Sequence, residues 1–111
     1  MSYSLFPTKR FEKEIKRLAK KFPSVKEEYA DLIALITQNP ATGTFLGDNT
    51  YKIRLAISSK GKGKSGGARV ITYLYIATET IYLLTIYDKG EKANLKLNEL
   101  KEMIESLRLE G

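Results

Sequence analysis

Three segments dense in Ile, Tyr, Leu, Val and Thr follow one another at residues 51–57, 69–77 and 80–87, and they constrain the fold more than any other feature of the chain. β-branched and aromatic residues suit the pleated, half-buried surface of a sheet. The last two segments are parted only by the tight region 77–79, so they should pair as an antiparallel hairpin. The first two are parted by SSKGKGKSGGA at 58–68, a flexible Gly/Ser/Lys connection. A sheet this small needs helices to cover it, and the flanking sequence supplies them.

Phe11, Ile15, Leu18 and Phe22 recur at spacings of one helical turn, with Thr8 placed as an N-cap and Pro23 as a stop. Ser24 and Glu27 have the spacing of a capping box. They open a second amphipathic helix through Val25, Tyr29, Leu32, Ile33 and Ile36, ended by Asn39-Pro40. So short a turn makes the two helices a hairpin. Leu97, Leu100, Ile104 and Leu107 mark a C-terminal helix. Residues 2–6 read as a short strand ending at Pro7, and 41–50 as loop. The expected fold is one α+β domain over residues 1–111, its helices packed on one face of an antiparallel sheet.

Chemistry is narrowed by what is missing. The chain has no Cys and no His, which excludes disulfide frameworks, zinc-finger sites, Ser-His-Asp triads and Cys-His dyads. Acid–base work must fall to Lys, Arg, Tyr, Asp or Glu. Neither a basic-then-apolar leader nor a run of about 20 apolar residues is seen, so a soluble, cytoplasmic protein without a membrane partner is expected.

Charge is concentrated where the strands begin. Residues 51–75 hold Lys52, Arg54, Lys60, Lys62, Lys64 and Arg69 and no acidic residue, an excess equal to the chain's net charge of +6. Such a strip attracts polyanions. Gly61, Gly63 and Gly66 match G-x-G-x-x-G, but a dinucleotide site needs a helix after that loop, and here a strand follows. GKS at 63–65 lacks both the earlier glycine and the following helix of a P-loop. Strand alternation is more informative. Tyr51, Ile53, Leu55 and Ile57 share one face, and Lys52 and Arg54 share the other. That is the pattern of an ordinary exposed sheet face as well as of a phosphate clamp. Arg69 opens the next strand after Gly66-Gly67, a pair that permits close approach of another backbone or a ligand. Tyr73 and Tyr75 share its parity, and tyrosines beside cations suit base stacking. Tyr87, Asp88 and Lys89 end the third strand.

Three stretches together, TFLGDNTYKIRL at 44–55, SGGARVITY at 65–73 and IYLLTIYDKGEK at 81–92, resemble the RelE/ParE superfamily of bacterial toxins, in particular its RelE- and HigB-like branch. The order of helical hairpin, three strands and final helix agrees with that resemblance. It implies a toxin of a type II toxin–antitoxin system that cleaves mRNA in the ribosomal A site, without metal or other cofactor. The messenger's own 2′-OH attacks the adjacent phosphate and leaves a cyclic phosphate and a 5′-OH. It further implies that Lys52 and Arg54 flank the scissile phosphate, that Arg69 contacts it in the transition state, and that Lys89 stands near the leaving oxygen. Where the best-studied branch has lysine, this chain has Arg54, and lysine surrenders a proton more easily than arginine. The family's late catalytic tyrosine falls near Lys96, so Tyr87 is the candidate substitute. Lys60, Lys62, Lys64 and Tyr73 are then candidates for RNA or ribosome contact. The implied partners are a cognate antitoxin, the ribosome and mRNA. A ParE-like gyrase inhibitor and a non-catalytic RNA- or ribosome-binding module stand as alternatives on the same scaffold.

Overall fold

Thr8 starts the first helix as its position suggests. Its hydroxyl accepts from Phe11 N–H (3.2 Å) and shares its own proton between Leu83 O and Leu84 O (3.0 and 3.2 Å). One buried residue therefore caps helix α1 (Lys9–Lys21) and ties it to the sheet. This and all other geometry comes from a computed structural model, which describes residues 3–60, 66–92 and 94–110. Helix α2 (Val25–Gln38) follows across Pro23. The expected capping box does not form. Ser24 is already helical (φ −70°, ψ −15°), so its hydroxyl is not aimed at the N–H groups of the first turn. It donates instead to Glu28 Oε1 (3.0 Å) and lies 2.8 Å from the Ser59 hydroxyl.

The strands are β1 (Ser4–Pro7), β2 (Thr44–Gly47), β3 (Thr50–Leu55), β4 (Ala68–Tyr75) and β5 (Thr80–Asp88), in spatial order β1-β5-β4-β3-β2. Helix α3 (Leu97–Glu110) closes the described chain. All neighbouring pairs are antiparallel except β1 with β5, which runs parallel. Residues 44–47, expected as loop, form the edge strand β2. Asp48 and Asn49 (φ +48° and +58°) make a two-residue turn in which both centres are left-handed, and that geometry brings 44–47 back onto β3. Ladder hydrogen bonds thus override the weak strand pattern of ATGTFLGDNT.

The helices do not share a face. Phe11, Leu18, Val25, Leu32 and Ile36 of α1 and α2 pack with Ile53, Leu55, Val70, Ile81, Leu83 and Ile86 on one side of the sheet. Leu100 and Met103 of α3 pack with Ile71, Leu84 and Tyr87 on the other. The expectation of a one-sided sheet fails because β4 and β5 are apolar on both faces, and a second apolar face needs its own cover.

In β5 the register slips by one residue opposite Ile71 and Thr72. As a result Leu83 and Ile86 both face α1 and α2, while Leu84 and Tyr87 both face α3. Strict alternation from Ile81 and Leu83 would have put Tyr87 on the α1 side; the bulge re-aims it. Glu14 of α1 serves the irregular backbone, its Oε1 accepting from Ile86 N–H (3.2 Å) and the Thr85 hydroxyl (2.6 Å). No helix among the described residues is long and apolar enough to cross a membrane.

Candidate nucleic-acid interface

The face of the sheet that carries α3 also carries the cations. Ile53 and Leu55 of β3 enter the α1–α2 core, so Lys52 and Arg54 between and beside them point the other way, as alternation requires. Ala68 and Val70 enter that same core, which turns Arg69 to the cation side. Pairing then sets three residues in a row across the sheet: Arg54 opposite Arg69, and Arg69 opposite Tyr87. Lys52 stands two residues further along β3 on the same face, opposite Ile71. Two guanidinium-bearing residues at directly paired positions repel each other and destabilise a sheet. An anion lying between them reverses that sign.

The members differ in depth. Arg54 is exposed and Lys52 half-buried, while Arg69 is only 4% exposed and Tyr87 8%. The Arg69 guanidinium donates to Ala68 O (3.2 Å). Its charge is thus held beside Arg54 in surroundings of lower dielectric than the exposed Arg54 side chain meets. Burial pushes the Tyr87 hydroxyl above its ordinary value, Arg69 opposing the shift and Glu99 adding to it. The phenol thus keeps its proton at neutral pH and is a donor.

Gly67 precedes Ala68 for a steric reason. A Cβ there would lie 2.1 Å from Leu55 O, so the close approach is to the backbone of β3. Lys89 sits just beyond β5. Its N–H extends the ladder to Gly67 O (3.0 Å), and the residue is exposed at the rim.

Lys60 lies on the opposite side of the sheet from this row. Its ammonium meets the Asp88 carboxylate and stands 5.3 Å from the centre of the Phe22 ring. Its side chain is 10% exposed and that of Asp88 4%, so its charge is committed to holding the loop and the end of α1 against β5. Lys62 and Lys64 lie outside the described residues. Tyr73 is on the cation face at the far end of β4, paired with Tyr82 of β5, their ring centres 6.4 Å apart.

Several neighbours of this face were missed by sequence reading. Glu99 accepts from Lys96 N–H (3.1 Å) at the start of α3 and is paired with Lys92. It brings a carboxylate to the side of Tyr87. A groove of about 360 Å³ opens between α3 and the Asp48–Asn49 turn, lined also by Tyr73, Lys101, Ile104 and Glu105. No local signal joins Asp48 to Lys101; only the seat of α3 does.

A five-stranded, mostly antiparallel sheet with a helical hairpin on one face and a lone helix on the other is the fold of solved RelE toxins. The isolated E. coli RelE toxin superposes with a TM-score of 0.61 at 16% identity, over 96% of this chain and 99% of that one. The RelE–RelB complex of E. coli gives 0.60 at 18% identity, over 78% and 96% of the respective chains. The RelBE2 toxin–antitoxin complex of Mycobacterium tuberculosis gives 0.53 at 12%, over 79% and 99%. The family model described as the RelE toxin of the RelE/RelB toxin–antitoxin system matches residues 5–107, and the chain belongs to that family.

Proposed function

We propose that this RelE-family toxin is a ribosome-dependent mRNA endoribonuclease, held inactive by a cognate antitoxin. The observation that carries the reading is the pairing of Arg54 with Arg69 on the face that also holds Lys52 and Tyr87. Antitoxin-bound forms among the structural relatives support the choice of partner.

In this reading the scissile phosphate lies over Arg54 and Lys52. The 2′-oxygen attacks phosphorus, the P–O5′ bond breaks, and the products are a 2′,3′-cyclic phosphate and a 5′-OH. Charge builds on the phosphoryl oxygens in the transition state. Arg54 touches them, and the charge of the more deeply set Arg69 beside it strengthens in effect as the site dries. Tyr87, which keeps its proton, protonates the departing 5′-oxygen. Of Lys52, Arg54 and Arg69, only Lys52 has an amine, which exchanges a proton more readily than a guanidinium. It is the candidate carrier of the 2′ proton. The ribosome's part is to hold the RNA bent for in-line attack, which a shallow sheet face does not do alone.

The test is to add purified protein to a reconstituted translation reaction and map new mRNA 5′ ends, with naked mRNA and Arg69→Ala as controls. New ends confined to ribosome-engaged codons, and lost in a variant whose thermal unfolding stays cooperative, are expected. Intact mRNA in an actively translating mixture overturns the proposal.

A further inference from the structure

We infer that Lys60 and Asp88 form a clasp that positions Lys89 for the cleavage step, although neither touches RNA. The inference rests on the endonuclease reading and deepens it, assigning two positioning residues on the far side of the sheet. Arg69 and Tyr87 are rungs of the β4–β5 ladder and hold each other in register. Lys89 is not a rung. It lies one residue past Asp88, the last residue of β5, and is exposed. Its charge rides on a flexible four-carbon stem, so its place depends on where the backbone leaves the sheet. Asp88 is paired with Ala68 of the α1–α2 core and faces that side; alternation then puts Lys89 on the side of Tyr87.

Asp88 fixes the chain around Lys89. Its carboxylate takes the Lys60 ammonium and Gly90 N–H (2.9 Å), and its carbonyl accepts from Glu91 N–H (3.0 Å) and Lys92 N–H (2.9 Å). Lys60 reaches it from a fixed base. The short turn Ser58–Lys60 is bonded to the start of α2, Ser58 N–H donating to Glu28 Oε2 (2.7 Å) and Ser59 N–H to Ser24 Oγ (3.0 Å). A second strap runs from Glu91 to Arg17 (2.6 and 3.3 Å) and Lys21 (3.5 Å) of α1. Those groups are exposed and screened by salt, so the buried Lys60–Asp88 pair is the stronger hold. From the other direction Lys89 N–H is held by Gly67 O, and Gly67 is seated against Leu55 O.

Lys60 has an electrostatic effect as well. It neutralises Asp88, whose free carboxylate would otherwise compete with phosphate for the ammonium of the next residue. With the clasp closed, the Lys89 charge is left to the departing 5′-oxygen.

Two measurements test this. The first is single-turnover cleavage in the translation reaction at saturating ribosomes, below the unfolding range of every variant. Lys60→Met should cut on the order of 10- to 100-fold more slowly, the cost of a misplaced group, with ribosome affinity unchanged by filter binding. Lys60→Arg, which keeps the charge, should recover most of the rate. Leu32→Ala, which weakens the hairpin core by a cavity, should keep the wild-type rate and so exclude lost stability as the cause. In a Lys89→Ala background the Lys60→Met change should cost less than about threefold, because nothing is left to place. An undiminished cost in that background, or no loss in Lys60→Met alone, overturns the clasp while leaving cleavage standing. The second measurement follows amide exchange and order parameters of residues 88–92 by NMR in the free protein. In Lys60→Met the Lys89 amide should lose protection and its order parameter should fall from about 0.85 toward 0.6. Amides that do not respond overturn the clasp. A wild type that cuts no translated mRNA overturns the endonuclease reading, and the amide data then still decide whether Lys60 fixes this corner.

Discussion

Replacing Lys60 with Met removes one charge and keeps nearly all of the side-chain stem. Asp88, 4% exposed, then loses its ammonium partner, and Phe22 loses the cation 5.3 Å from its ring. Breaking a buried ion pair from one side costs about 3–5 kcal/mol. Here the cost belongs at the low end, because Gly90 N–H still donates to Asp88 Oδ1 (2.9 Å). About 3 kcal/mol lowers the melting temperature of a domain of this size by roughly 12 °C. The pH dependence separates charge from packing. Burial pushes the Asp88 carboxyl up, but its hydrogen bonds to Lys60 and Gly90 and the nearby Lys60 and Lys21 charges outweigh this and hold it below the ordinary value. In wild type the group therefore adds stability that is present above the unfolded carboxylate range and is lost as pH falls through the lower folded value. Without Lys60 that support is gone and burial dominates, so the variant's deficit is greatest near neutral pH and shrinks as Asp88 protonates. Urea unfolding at a series of pH values reads this directly. Asp88→Leu added to Lys60→Met should recover most of the loss, since no charge is then left buried. A deficit below 1 kcal/mol at neutral pH, or one unchanged in acid, would refute the argument.

Other perturbations probe the remaining joints. Thr8→Ala removes the cap and both bonds to β5, and should cost about 1–2 kcal/mol in the same unfolding assay. Glu14→Leu strips the Ile86 N–H and Thr85 hydroxyl of their acceptor; a loss of about 2 kcal/mol is expected, with faster amide exchange confined at first to residues around the bulge. Gly67→Ala drives a Cβ into Leu55 O, and a large drop in melting temperature is expected at this otherwise mild change. Tyr87→Phe should slow cleavage about 100-fold while leaving ribosome binding intact, measured by single-turnover cleavage beside a filter-binding assay; equal loss in both would deny Tyr87 a role as proton donor.

Much of the architecture was legible because it is periodic and local. The helical turn spacing from Phe11 to Phe22 marked α1, Thr8 marked its start, and a period of two put Lys52 and Arg54 on the face opposite Ile53 and Leu55. Those inferences need only neighbouring residues. Strand β2 was not legible because its hydrogen bonds, rather than its side chains, make it a strand. The face of Tyr87 was not legible because a bulge breaks the period that sequence reading relies on, and the Glu14 that serves it lies 71 residues from Thr85.

The sequence by itself determined the three helices and every strand but β2, which way the cations of β3 point, and that any chemistry must be done without His or Cys. Tertiary structure alone decided that α3 covers the face opposite the hairpin, that Arg54 stands against Arg69, that Lys60 is tied to Asp88, and that Tyr73, Asp48 and Lys101 line one groove. The reason is that periodicity is written in adjacent residues. The pairing of groups far apart in the chain is settled only when two apolar sheet faces must each be covered at once.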